Sequence, residues 1–343
     1  MSKTCSFLVK ACLIGFGLAA CQTIPPNTDL PLEFESADRP AEADRFPNWP
    51  ASPTELEGRL PQQLAAGKFE VRNKAGTAYG LGGAETLEVY LTETDEEVRI
   101  KWKEMPRKTL DEYNNRARKT IAAYQLQKLF LDAEDYVVPL SFAICQPIEG
   151  EERPSVPGTN CTLGAVSVWL QDVTFADVLY DEARFVADPT YAYYLSNFNL
   201  FTYLANHRDA KMSNALVSKD DGRRQVFSID NDIAFDAFTY NYFIDQWDEI
   251  FVAALRRDSI DRLRRLERED LDFLGVVAQF ETDDRNVLLP VAPGKNLDPN
   301  RPVRITGDSV QLGLAKYEIE GLWSRIQSLL KRVDDGEMPV FEG

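Results

Sequence analysis

Residues 206–217, NHRDAKMSNALV, hold the only histidine of the chain and space Asp209, Lys211 and Asn214 two and three positions apart. Those side chains suit phosphoryl transfer. A carboxylate can take the proton of an attacking hydroxyl, an ammonium can neutralise charge on the transferred group, and an amide oxygen can bind a hard divalent cation. A single histidine narrows the alternatives. A Ser-His-Asp hydrolase would have to use His207, and zinc sites of several histidines or cysteines cannot be assembled.

Residues 214–230, NALVSKDDGRRQVFSID, read as a hairpin with a tight turn at Asp221 and Gly222, which brings Asp230 to a strand end beside Asn214. A second carboxylate there could share the cation, with Asp232 as the alternative ligand. Upstream, Gly76, Gly80, Gly82 and Gly83 lie between two strand signals, where backbone N–H groups could approach phosphate oxygens without Cβ clashes. In VRIKWKEMP, period-two alternation puts Lys101 and Lys103 on one strand face, opposite Val98, Ile100 and Trp102.

The spacing His207-Arg208-Asp209-x-Lys211-x-x-Asn214 resembles the catalytic loop of protein kinases. Residues 68–333 are similar to the protein-kinase-like superfamily, and most to the atypical branch of secretory-pathway kinases and phosphatidylinositol 4-kinases. SIDNDIAF resembles that branch's segment around its last metal aspartate, and IAAYQLQKLF its first helix. The resemblance implies an α+β, bilobal protein-kinase-like fold with a small β-rich N-lobe and a larger helical C-lobe. It implies Mg2+ and ATP, or another nucleotide, between the lobes, with Gly80, Gly82 and Gly83 over the phosphates. Lys103, followed shortly by proline, is the preferred phosphate lysine. Asp209 would be the base, Lys211 would neutralise charge, and Asn214 and Asp230 would hold the metal. Backbone groups around Trp169 to Asp172 would meet the adenine of the nucleotide.

The pattern also departs from that branch. Asn231 and Asp232 replace the usual Phe-Gly, and Thr120 stands where the branch carries the helix glutamate that pairs with the lysine; neither Glu112 nor Gln125 matches it. An inactive pseudokinase and an envelope binding or structural lipoprotein therefore stand as alternatives to a phosphotransferase with a hydroxyl-bearing protein or small-molecule acceptor.

The elements that must position these residues fall into blocks. Residues 66–173 carry strand signals (KFEVRN, TLEVYLT, EEVRIKWKE, YVVPLSFAIC, LGAVSVWLQDV) interrupted by one helix near residues 116–131. Helices are expected to dominate residues 174–337: one opened by Asp188 and Pro189, others near residues 243–255 and 270–280, and a last one with Leu322, Ile326, Leu329 and Val333 on one face. Residues 21–65, rich in proline and acids, read as an extended tether.

The first residues, MSKTCSFLVKACLIGFGLAAC, combine two lysines, a short apolar run and small residues before Cys21. They resemble a bacterial lipoprotein signal, which implies cleavage after residue 20, lipidation of Cys21 and, since Gln22 follows, the outer membrane facing the periplasm. Cys145 and Cys161 then remain as a pair, and an oxidising compartment would bridge them, contributing about 3 kcal/mol. The formal charge of −17, with no basic stripe, excludes nucleic acid as a partner and leaves membrane attachment to the acyl chains. ATP is scarce in such a compartment, so the donor would have to be an exported nucleotide or another phosphate compound.

Overall fold

The first element lies inside the expected tether. Helix α1, Pro53–Ala65, starts where the Ser52 hydroxyl accepts the Glu55 N–H at 3.2 Å and Pro53 occupies the first turn. Leu56, Leu60 and Leu64, four apart, bury one face in the main core. The tether boundary at residue 65 is thereby corrected: prolines and acids around the three leucines hid their period. The structure, a computed structural model, describes residues 45–76, 84–105, 117–147, 154–176, 180–220, 222, 224–235, 247 and 249–342. Cys21, Gly80, Gly82, Gly83 and Glu112 lie outside the described residues.

Next come β1 (Phe69–Gly76), β2 (Glu85–Leu91), β3 (Glu96–Glu104), α2 (Ala117–Gln127), β4 (Ser141–Pro147) and β5 (Cys161–Val168), the succession the sequence implies. They form an antiparallel sheet in the order β1-β2-β3-β5-β4. Leu87 faces Ile100 and Val89 faces Val98 across β2 and β3, and all four are buried. Alternation then turns Lys101 and Lys103 to the opposite face. Trp102 lies so close to β5 that a Cβ at Gly164 would come within 2.3 Å of the indole. The expected bridge joins Cys145 to Cys161 with Cα atoms 5.5 Å apart, both side chains buried.

Beyond the sheet follow β6 (Val173–Phe175), α3 (Glu182–Ala187), α4 (Pro189–Leu204), β7 (Ala215–Ser218) and β8 (Val226–Ser228). Asp188 caps α4 by accepting the Tyr191 N–H at 3.0 Å, and β6, β7 and β8 form a three-stranded antiparallel sheet that contains the expected hairpin. Then come β9 (Leu255–Arg256), α5 (Arg257–Arg264), β10 (Ala278–Thr282), β11 (Leu288–Val291), β12 (Val303–Thr306), β13 (Ser309–Leu312), α6 (Lys316–Asp334) and β14 (Val340–Phe341).

Two helix expectations are corrected here. Of the helix expected near residues 243–255, residues 243–246 and 248 lie outside the described residues and residues 249–254 are irregular; residues 268–275 form 3-10 turns that lead into a four-stranded sheet ordered β11-β10-β13-β12. Short apolar windows fit period two as well as 3.6, and from Ala278 onward period two prevails. Phe280, Leu288, Val310 and Leu312 pack with Ala143, Leu163, Ala165 and the disulfide in a second core. The fold is thus α+β with several sheets, and its second half is not uniformly helical. The last helix, α6, is as expected, with Leu322, Ile326 and Leu329 buried.

Consecutive residues of α2 fasten these parts together. The Arg118 guanidinium donates to both carboxylate oxygens of Glu318 on α6, at 2.8 and 3.0 Å, and to the Gly313 carbonyl at 3.0 Å. The Lys119 ammonium lies 3.1 Å from Glu318 and donates to the carbonyls of Ala234 (2.7 Å) and Phe235 (3.3 Å). Arg118 and Glu318 are fully buried and Lys119 nearly so. Removing the carboxylate charge would strand two cations in a dry site. Glu318→Gln is therefore expected to lower the unfolding free energy in urea by about 3–5 kcal/mol. A loss under about 1 kcal/mol would mean that water relieves the cations.

Candidate functional site

Two loops carry the candidate residues. The first leaves α4 and runs from Asn206 to Asn214; the second follows β8 from Ile229 to Phe235. Backbone hydrogen bonds stitch them together: Arg208 N–H to the Ile233 carbonyl (3.0 Å), Ile229 N–H to the Asn214 carbonyl (3.0 Å) and Phe235 N–H to the Ala205 carbonyl (2.6 Å). Within the first loop, the Lys211 ammonium donates to the Asp209 carboxylate oxygens at 3.0 and 3.2 Å. The Asn214 amide N–H2 donates to the Asp209 backbone carbonyl (2.8 Å) and carboxylate (3.0 Å). Asp209, Lys211 and Asn214 thus form one contact cluster, in which the amide nitrogen is spent on Asp209 and the amide oxygen is turned away from it.

A second cluster brings β3 to the other loop. Lys101 donates to the Asp230 carboxylate at 3.2 Å; Lys103 lies 3.6 Å from the same oxygen and donates to Asp232. The Thr120 hydroxyl donates to the second oxygen of Asp232 at 2.9 Å. Burial acts to lower the Lys103 pKa, but Asp232 and then Asp230 outweigh it and hold the pKa above its ordinary value. For Asp230, burial pushes upward, while Lys101 and then Lys103 prevail and hold its carboxyl below the usual range. The two carboxylates differ in setting: solvent reaches 41% of the Asp230 side chain and 7% of that of Asp232.

Sequence reasoning named Lys103, Asp209, Lys211, Asn214 and Asp230, and all five lie on these stitched loops or on β3 facing them. Lys103 is the preferred phosphate lysine by sequence, and both it and Lys101 reach the acids. Asp232, the alternative metal ligand by sequence, is instead bonded to Lys103 and to Thr120, a partner 112 positions away that short-range pattern does not reveal. Gln125, considered for the missing helix glutamate, turns instead to Glu57 of α1 at 3.5 Å.

The segment after β5 behaves differently from expectation. Trp169 N–H donates to the Arg99 carbonyl (2.9 Å) and Gln171 N–H to the Asn48 carbonyl (2.9 Å). The Asn48 side chain donates to the carbonyls of Gln171 (3.0 Å) and Asp172 (3.2 Å). These donors are already engaged, so base contacts through the Trp169 and Gln171 N–H groups are not available here.

Among the described residues, no group of three or more His, Cys, Asp or Glu side chains could hold a metal ion. A divalent cation would rest on the solvent-accessible Asp230 carboxylate and the Asn214 amide oxygen, completing its shell from phosphate oxygens and water. That all-oxygen set fits magnesium. No protein-family model and no curated protein matches the chain.

His207 lies fully buried beneath the site. Burial lowers its pKa, and Asp209, Asp230 and Asp232 only partly offset this, so the ring is neutral at pH values where a free imidazole is half charged. A histidine pKa lower in the folded than in the unfolded chain leaves stability intact above about pH 6.5 and erodes it as pH falls toward the folded value. Asp135, raised by burial despite Arg256, acts with the opposite sign. With one histidine in the chain, the unfolding free energy of the wild type is expected to fall between about pH 7 and about pH 5. His207→Gln should flatten that slope; equal slopes in urea titrations would show that His207 is not its source.

Proposed function

We propose that this protein is a lipid-anchored, kinase-like phosphotransferase that moves a phosphoryl group from a magnesium-bound nucleotide, or a related polyphosphate donor, to a hydroxyl acceptor. The observation that carries the reading is the convergence of Lys101 and Lys103 on Asp230 and Asp232, beside a loop that presents Asp209, Lys211 and Asn214. Lysine pairs, acids and an amide at one place suit the charge of a donor phosphate chain and its cation. The bilobal kinase-like fold, the anchoring at Cys21 and the envelope location belong to the same proposal.

In this reading Lys103 holds donor phosphate oxygens, and Asp232, locked by Thr120, orients it in place of a helix glutamate. Asn214 and Asp230 hold the cation, which screens charge between the phosphates. Asp209 accepts the proton of the acceptor hydroxyl at its carboxylate, and Lys211, which donates to that carboxylate, neutralises charge on the transferred group. A binding protein without turnover is the second reading, favoured by the absence of a helix carboxylate at Thr120.

Thermal unfolding of the purified protein with Mg2+ and a panel of nucleotides tests binding. At about a hundredfold excess over the dissociation constant, stabilisation near 2.7 kcal/mol is expected, requiring both components and disappearing in Asp230→Asn. In a labelled-phosphate assay, Asp209→Ala should keep the stabilisation and lower transfer by about 10²–10⁴-fold. No magnesium-dependent stabilisation with any nucleotide would reject the proposal, and stabilisation without transfer would favour the second reading.

A further inference from the structure

The charge layout around Asp230 carries one step more, resting on the reading above. Two ammoniums, Lys101 and Lys103, face two carboxylates, Asp230 and Asp232, so the group is neutral as it stands. The four are not equivalent. Lys103 is secured by nearly buried Asp232, which is itself held by the Thr120 hydroxyl at 2.9 Å. Lys101 bonds the half-buried carboxylate of Asp230 at 3.2 Å, on the same oxygen that Lys103 approaches at 3.6 Å.

We infer that Lys101 is a displaceable counter-ion standing in the cation position of Asp230, so that divalent cation and polyphosphate enter this site together by exchanging partners with the lysines. A cation arriving alone would have to break the Lys101 contact and would leave two ammoniums facing its own positive charge. A polyphosphate arriving alone would meet lysines that are already neutralised and an opposing carboxylate. When both arrive, the cation takes Asp230 and the ammonium of Lys101 swings on its flexible stem to a phosphate oxygen, so that each positive group ends beside a negative one. Lys103 has no need to move, because Asp232 does not compete for the cation. The structure thus divides the lysine pair into a fixed phosphate anchor and a mobile guard of the metal carboxylate.

Manganese, added without nucleotide and followed by the electron paramagnetic resonance signal of the free ion, tests the guard directly. Removing the ammonium should unmask Asp230, so Lys101→Met is expected to bind Mn2+ about tenfold or more tightly than the wild type. Lys101→Gln provides the same test should the methionine variant misfold. Lys331→Met, a change of equal charge at an exposed site on α6, should stay within about twofold of wild type. Adding Asp230→Asn to Lys101→Met should abolish the gain. The inference is overturned if neither Lys101 variant gains affinity, if Lys331→Met gains as much, or if the gain survives Asp230→Asn. Because the metal alone is the probe, such a failure leaves the nucleotide-stabilisation result standing. Failure of nucleotide binding with a positive manganese result would retain a guarded cation site and remove the phosphotransfer.

Discussion

Glu318 is the carboxylate on which the geometry of the site depends. It is fully buried, and its two oxygens receive Arg118 and Lys119 from α2, so the last long helix and the helix beside the first sheet share one charge centre. Three consecutive residues of α2 then reach three places: Arg118 to α6, Lys119 to the carbonyls of Ala234 and Phe235, and Thr120 to Asp232. Neighbouring helix positions point about 100° apart, so one rigid turn can triangulate a loop against two other elements. A buried ion pair contributes little net stability against an apolar replacement, but its geometry is demanding. What the network supplies is position: the loop that bears Asp230 and Asp232 is held from one side by Lys119 and Thr120 and from the other by Arg208.

In the proposed reading, that arrangement gives a physical account of how Lys103 is held without a helix carboxylate at Thr120. A lysine facing a phosphate site needs an acid to hold its ammonium in place, and the acid can come from any element within reach. Asp232 occupies the nearly buried position beside Lys103, and its remaining oxygen accepts the Thr120 hydroxyl, so both its orientation and its charge are satisfied. Asn231, in the intervening position, closes its own turn with Ser228: the Ser228 hydroxyl lies 2.8 Å from its amide oxygen, and its amide N–H2 donates to the Ser228 carbonyl at 3.2 Å. The triplet therefore has one exposed acid, one structural amide and one buried acid. A glycine at position 232 could not play the last part.

Much of this was legible where chemistry is local. The strand-strand-strand-helix-strand-strand succession, the Asp188 cap, the hairpin after Asn214 and the face shared by Lys101 and Lys103 all follow from short-range periodicity and turn residues. What escaped has a common cause. Helix α1 has only three leucines among prolines and acids, and they become a face only because the main core receives them. The sheet of β10 to β13 is built from windows of four or five residues, too short to separate period two from 3.6. The partnership of Thr120 with Asp232, like that of Asn48 with Gln171, joins residues more than a hundred positions apart. Such contacts are set by packing, which single-chain patterns do not encode.

Backbone conformation at the two loops points to pre-organisation. Asn206 (φ 46°), Asp230 (φ 58°) and Phe235 (φ 51°) are all left-handed without being glycine, and for a bulky aromatic this conformation is strongly disfavoured. Each costs on the order of 1–3 kcal/mol and persists only where the surroundings over-determine it. Here they do: Phe235 is gripped through its N–H by Ala205 and through its carbonyl by Lys119, while the residues flanking Asp230 are bonded to Asn214 and to Ser228. A relaxed extended backbone at Asp230 would redirect its carboxylate, breaking the contact with Lys101 and separating it from the Asn214 loop. One of the three strained positions is thus the acid whose direction matters most, and the buried charges of α2 and α6 hold the loop that carries it.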